Sequence, residues 1–153
     1  MPVNPALEGR SLPPTGPYLV GREKVREFAR AVRAEHPFHH DPAAARAAGY
    51  PDVVAPPTFP VVMQEFTLQQ LLAEPDAGID FSRVVHGDQR FEYSRPVVAG
   101  DELTATMTVT GVKEMRGLSM VTAVSIMVDA GGAHVVTATS TLVVRPDDEP
   151  GAA

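Results

Sequence analysis

The apolar positions of this chain change period once, after Asp80. Before it they recur at helical spacing, and beyond it they alternate. Val25, Phe28, Ala29 and Val32 form one stripe on a segment from Arg22 to about Val32. Its remaining Arg22, Glu23, Lys24, Arg26, Glu27 and Arg30 read as a solvated face. Tyr18-Leu19-Val20, set off by Gly21, reads as a short first strand. A second short helix is predicted from Pro42 to Ala48, with Asp41 as N-cap, Pro42 at its first position and Gly49 closing it. The third and longest helix follows Pro56, Pro57 and Pro60, which sit where a helix start needs no N–H. Phe59, Val62, Met63, Phe66 and Leu71 give it a wide apolar face that a sheet is expected to cover, and Pro75, Asp76 and Gly78 stop it near Ala73.

Four strands are predicted in the second half. They run over Arg83–Tyr93, Leu103–Val112, Leu118–Val128 and His134–Val144. The second alternates cleanly, with Leu103, Ala105, Met107 and Val109 against Thr104, Thr106, Thr108 and Thr110. Val98–Asp101, Met115-Arg116-Gly117 and Asp129–Gly132 supply the turns, and a turn opening a strand accounts for Gly100-Asp101 without any functional role. Helices first and an antiparallel meander after make an α+β domain, with the long helix packed on one sheet face. The Thr and Ser face is expected to be open or paired with another subunit. Residues 1–16 read as an extended, proline-rich lead-in, and 146–153 as a polar, frayed tail.

Composition narrows the function classes. At 153 residues the chain is one domain with room for a core. A formal charge of −6 argues against a nucleic-acid footprint. The absence of cysteine removes disulfides, thiol catalysis and thiolate metal sites. No apolar run is long enough to span a bilayer and no secretory leader is visible, so a cytoplasmic protein with no membrane partner is expected.

Candidate chemistry concentrates between Arg33 and Asp41, where three of the five histidines lie. His39 has the residue type for proton transfer near neutral pH. His36, His39, His40 and Asp41 are metal-ligand types, but neighbours in an extended loop point different ways, and Asp41 is explained as a helix cap, so no metal and no cofactor is expected. His86 and Asp88, two apart on a strand, are expected to share one face, as a pair near a ligand channel or as an interface or edge pair. Phe59, Met63 and Phe66 are core by spacing and could also line an apolar tunnel.

Four stretches together resemble the MaoC-like dehydratases of the hotdog fold. These are Val20–Ala29, Pro51–Phe59, Val84–Phe91 and Arg95–Asp101. The likeness runs from about Leu7 to Arg145, and is nearest to the small actinobacterial subunits related to the A subunit of (3R)-hydroxyacyl-ACP dehydratase. It implies an antiparallel sheet wrapped round a long central helix, and reversible removal of water from a 3-hydroxyacyl thioester of ACP or CoA. Active members carry Gly-Asp-x-Asn-Pro-(aliphatic)-His-x-Asp. Aligned on Pro37, their catalytic His falls on His39 and their last Asp on Asp41, while the Asn position holds His36 and the catalytic Asp position holds Ala34, with Glu35 next to it. Their Ala-His-Gly, whose backbone N–H clamps the thioester carbonyl, is here Ala55-Pro56-Pro57, and proline has no N–H. The resemblance therefore implies a partner subunit that holds the acyl chain, through Pro57, Thr58, Phe59, Met63, Phe66, His86 and Asp88, in a heterodimer with a hotdog subunit bearing the dyad, or a homodimer when alone. The alternatives are a non-enzymatic homodimeric acyl-thioester binding module and, on the same fold, a thioesterase using Glu65.

Overall fold

The structure is a computed structural model and describes residues 2–146. It contains α1 (Arg22–Ala31), α2 (Pro42–Ala47) and α3 (Val61–Ala73), and strands β1 (Tyr18–Leu19), β2 (Val84–Tyr93), β3 (Glu102–Met115), β4 (Leu118–Val128) and β5 (His134–Val144). The strands form one antiparallel sheet in the order β1-β3-β4-β5-β2, curled around α3. This is the hotdog fold that the residue pattern resembles. The turn between β3 and β4 has Arg116 and Gly117 both at positive φ, 53° and 81°, the two-residue geometry that matches the twist of paired strands.

One face of the sheet is apolar by alternation. Leu103, Ala105, Met107 and Val109 of β3, with Val121, Ala123 and Met127 of β4, are all buried beneath α3. The face that α3 turns inward keeps Met63 and Leu71 of the apolar pattern but takes Gln64 and Thr67 in place of Phe66. Met63, Gln64, Thr67 and Leu71 are buried, whereas Phe66 is 43% exposed and rests on Tyr18, ring centres 5.6 Å apart. The reason lies across the interface: the sheet offers hydroxyls at its centre. The Gln64 side-chain amide donates to the Ser140 hydroxyl at 3.0 Å, and Thr67, which donates to the Gln64 carbonyl, lies 3.1 Å from the Ser125 hydroxyl. With every member partnered, this seam holds its place in the core. Two apolar clusters flank it, one around Phe59 and Met63 and one around Leu71 and Met107.

The lead-in is more structured than an extended strap. It makes a 3-10 turn at Pro5–Leu7 and buries Val3, Leu7 and Leu12. Residues 9–15 then run along β3, where Gly9, Leu12 and Thr15 donate backbone N–H groups to Val109, Met107 and Ala105. Together with β1 it covers the outer edge of β3. The outer edge of β2 has no backbone partner among the described residues. The tail expected to fray lies outside the described residues, Pro146 excepted.

Candidate functional site

The histidine loop leaves α1, makes a 3-10 turn at Pro37–His39, and enters α2 through Asp41, whose carboxylate accepts from the Ala43 N–H at 2.9 Å. His36 caps the 3-10 turn through Nδ1, which accepts from the Phe38 N–H. His40 donates from Nε2 to the Ala34 carbonyl at 2.8 Å. Both therefore have backbone duties, and among the described residues no cluster suited to a metal exists.

His39 is different. It is 7% exposed, and its Nδ1 lies 2.6 Å from the Val54 carbonyl oxygen. A carbonyl can only accept, so in the neutral ring the proton sits on Nδ1 and Nε2 keeps its lone pair. The Val53–Ala55 strip that orients it is tied down in turn: Val54 N–H donates to the Phe38 carbonyl, and Ala55 N–H to the Val97 carbonyl, at 2.9 and 2.8 Å.

His39 lines a cavity of about 420 Å³ together with Phe38, Tyr50, Pro57 and the segment from Tyr93 to Pro96. Tyr93 ends β2, and its hydroxyl donates to the Pro57 carbonyl at 2.6 Å. Burial pushes the Tyr93 phenol above its ordinary value. Arg95 at the rim pairs with Asp101 at 2.8 Å and with Asp129 at 3.4 Å. No local signal in the sequence marks Tyr93; it reaches Pro57 only because β2 pairs with β5 in a register that sets Tyr93 beside Val136.

Few of the expected residues meet here. His39 and Pro57 line the cavity. Glu35 is exposed and Ala34 half-buried, and among the described residues the His39 ring bonds to a backbone carbonyl rather than to a carboxylate. Thr58 is exposed in the turn before α3. Phe59 and Met63 are both fully buried core, Phe59 edge-on to Phe28 at 5.4 Å, and Phe66 is on the surface.

His86 and Asp88 do not share a face. A bulge at Gly87 shifts the register, so that His86 lies opposite Leu142 on the helix side of the sheet and Asp88 opposite Thr141 on the outer side. A residue added to a strand inverts the alternation beyond it. His86 instead meets Gln64, Glu65 and Ser140 in a separate crevice of about 140 Å³. Glu65 accepts from the Gln69 side chain at 2.6 Å there, well apart from the His39 cavity.

The FAS1-like dehydratase domain region family matches residues 6–138. The chain belongs to that family. A UPF0336 protein of Clavibacter michiganensis is 74% identical over 97% of this chain and 99% of its own length. A chain of the Mycobacterium tuberculosis HadBC (3R-hydroxyacyl-ACP dehydratase) complex superimposes with a TM-score of 0.83, at 35% identity over 90% of this chain and 96% of its own. A MaoC-like dehydratase gives a TM-score of 0.84 at 37% identity, with 95% of this chain covering 45% of that one. The chain thus shares the hotdog scaffold of these dehydratases, and one of them is a heteromeric complex. No helix among the described residues is long and apolar enough to cross a membrane.

Proposed function

We propose that this chain is the acyl-binding subunit of a (3R)-hydroxyacyl-thioester dehydratase, acting on ACP or CoA thioesters. It pairs with a hotdog subunit that supplies the catalytic Asp and His. Dehydration removes a proton from C2 and releases the C3 hydroxyl as water, so it needs a base, an acid and a donor for the thioester carbonyl. The observation that carries the reading is the state of the His39 cavity. His39 is held as in a working site, by Nδ1–H to a backbone carbonyl, but among the described residues no carboxylate bonds to it. Where the thioester would be clamped, Pro57 has only a carbonyl, and Tyr93 already occupies it.

The sheet edges support a dimer. With β3 covered by the lead-in, β2 is the long edge without a partner among the described residues, with exposed Val85 (51%) on it and Phe81 (59%) just before it. An unpaired ten-residue edge invites another strand, and a two-subunit sheet answers that need. The second reading, a homodimeric acyl-thioester binding module without chemistry, draws on the same cavity, which keeps its volume while lacking the dyad.

Hydration of a short trans-2-enoyl-CoA, followed by loss of enoyl-thioester absorbance, tests both. The chain alone is expected to be inactive and to gain activity with a dyad-bearing partner. Robust activity of the chain alone overturns the assignment and directs attention to Glu35. Inactivity with every dyad-bearing partner that binds it favours the module.

A further inference from the structure

We propose that the outer edge of β2 is built to pair with a second copy of this chain, antiparallel and centred on Gln89, with Asp88 of each copy opposite Arg90 of the other. The inference goes beyond the reading above and does not rest on it. Where both hold, self-pairing and the dyad-bearing subunit compete for one edge.

The warrant is the symmetry of the strand. Along β5, β2 is paired at nine consecutive positions, from Val84 opposite Val144 to Tyr93 opposite Val136, and Gly87 is the one residue looped out. With Gly87 set aside, Gln89 is the middle of the nine. Two copies related by a twofold axis through Gln89 therefore overlap along the whole strand, with Val84 facing Tyr93 at each end. Every pair formed in this way has both members on one side of the sheet. Asp88 and Arg90, opposite Thr141 and Thr139 of β5, both lie on the outer side and face each other twice.

Charge decides among the registers. Opposite charges facing each other across two strands stabilise the pairing, and like charges directly opposite destabilise it. Centring on Asp88 sets Asp88 against itself, and centring on Arg90 sets Arg90 against itself and Asp88 against Glu92. Centring on Phe91 joins Arg90 to Glu92 but overlaps only from Gln89 to Tyr93. Centring on Gln89 puts a neutral amide on the axis and joins opposite charges over the full strand. Both charges are available. Asp88 is exposed and pairs with no charge among the described residues, and Arg90 keeps 68% of its side chain exposed while it bonds Glu92 at 2.6 Å. A guanidinium has five N–H donors, so that bond leaves others for a second carboxylate. Charges on an edge strand commonly deter pairing. Here they cancel in one register, and so deter the others.

Sedimentation equilibrium of the full chain and its charge-reversed variants tests this. The wild-type chain is expected to be a dimer. Asp88→Arg and Arg90→Asp each replace two opposite-charge pairs by two like-charge pairs, and each is expected to weaken dimerisation by about tenfold or more. Both positions are exposed, so both variants are expected to fold, which circular dichroism checks. Mixing the two variants restores both pairs, as does combining the two substitutions in one chain. The mixture and the doubly substituted chain are therefore expected to dimerise within about threefold of wild type. A monomeric wild-type chain, or a dimer that neither reversal weakens, overturns the proposal. Weakening that neither the mixture nor the doubly substituted chain reverses overturns the register and the proposal with it. Activity gained with a dyad-bearing subunit would in each of these cases leave the subunit assignment standing.

Discussion

Phe59 and Phe66 both lie on the apolar pattern of the central-helix region, and the structure separates them sharply. Phe59 is fully buried and packs edge-on against Phe28, whereas Phe66 is 43% exposed and touches Tyr18. Truncating a buried phenylalanine to alanine removes its transfer free energy and leaves a cavity, together about 3–5 kcal/mol. Phe59→Ala is expected to cost that amount. A domain of this size loses roughly 2–4 °C of melting temperature per kcal/mol, so the midpoint falls by about 10 °C. Phe66→Ala removes a side chain that has already left half its surface in water, and about 1 kcal/mol is expected. The two variants are compared by urea denaturation followed by circular dichroism, at one protein concentration because an association equilibrium would shift both midpoints. A Phe59→Ala cost below about 1.5 kcal/mol, or equal costs for the two, would refute the assignment of Phe59 to the core. The contrast also bears on function. If Phe59 lined an open acyl tunnel, its truncation would alter ligand binding more than stability.

Gly78→Ala tests the lead-in: at φ +67° a methyl group would sit 2.1 Å from the Pro2 carbonyl oxygen. The backbone conformation costs an alanine about 1–2 kcal/mol. Displacing Pro2 threatens the bond from Asn4 N–H to the Ala77 carbonyl, worth about 1 kcal/mol more. A loss below roughly 1 kcal/mol in a urea melt would mean that the segment is not packed as described. Acid stability tests Asp52, which a bond from Arg22 holds down to about 2. A carboxyl lowered in the folded state stabilises above its unfolded value near 4, and that contribution is lost as pH falls from about 4 to 2. Asp52→Asn is therefore expected to cost about 1 kcal/mol at pH 7, the scale of a partly exposed pair, and only a small part of that at pH 2. An equal deficit at both pH values would show that the carboxylate charge is not what matters.

Much of the architecture follows from local pattern alone. The change of period at Asp80, the turns at Arg116-Gly117 and Asp129–Gly132, and the Asp41 cap are short-range signals, and each fixes an element where the structure has it. Short-range too are the two departures on which the proposed function rests, Ala34 where the resemblance expects a carboxylate and Pro57 where it expects an amide donor, because residue type by itself removes a proton acceptor or an N–H. What needed the tertiary structure is whatever depends on a partner distant in sequence. Gln64 and Thr67 face inward because Ser140 and Ser125 wait across the interface, and no helical period can report that. His86 and Asp88 part company because one bulge at Gly87 inverts the alternation on which their pairing was read. Tyr93 meets Pro57, and His39 meets both at one cavity, only through strand register and loop packing over tens of residues. Local sequence sets which groups are available; the long-range contacts decide which of them share a space.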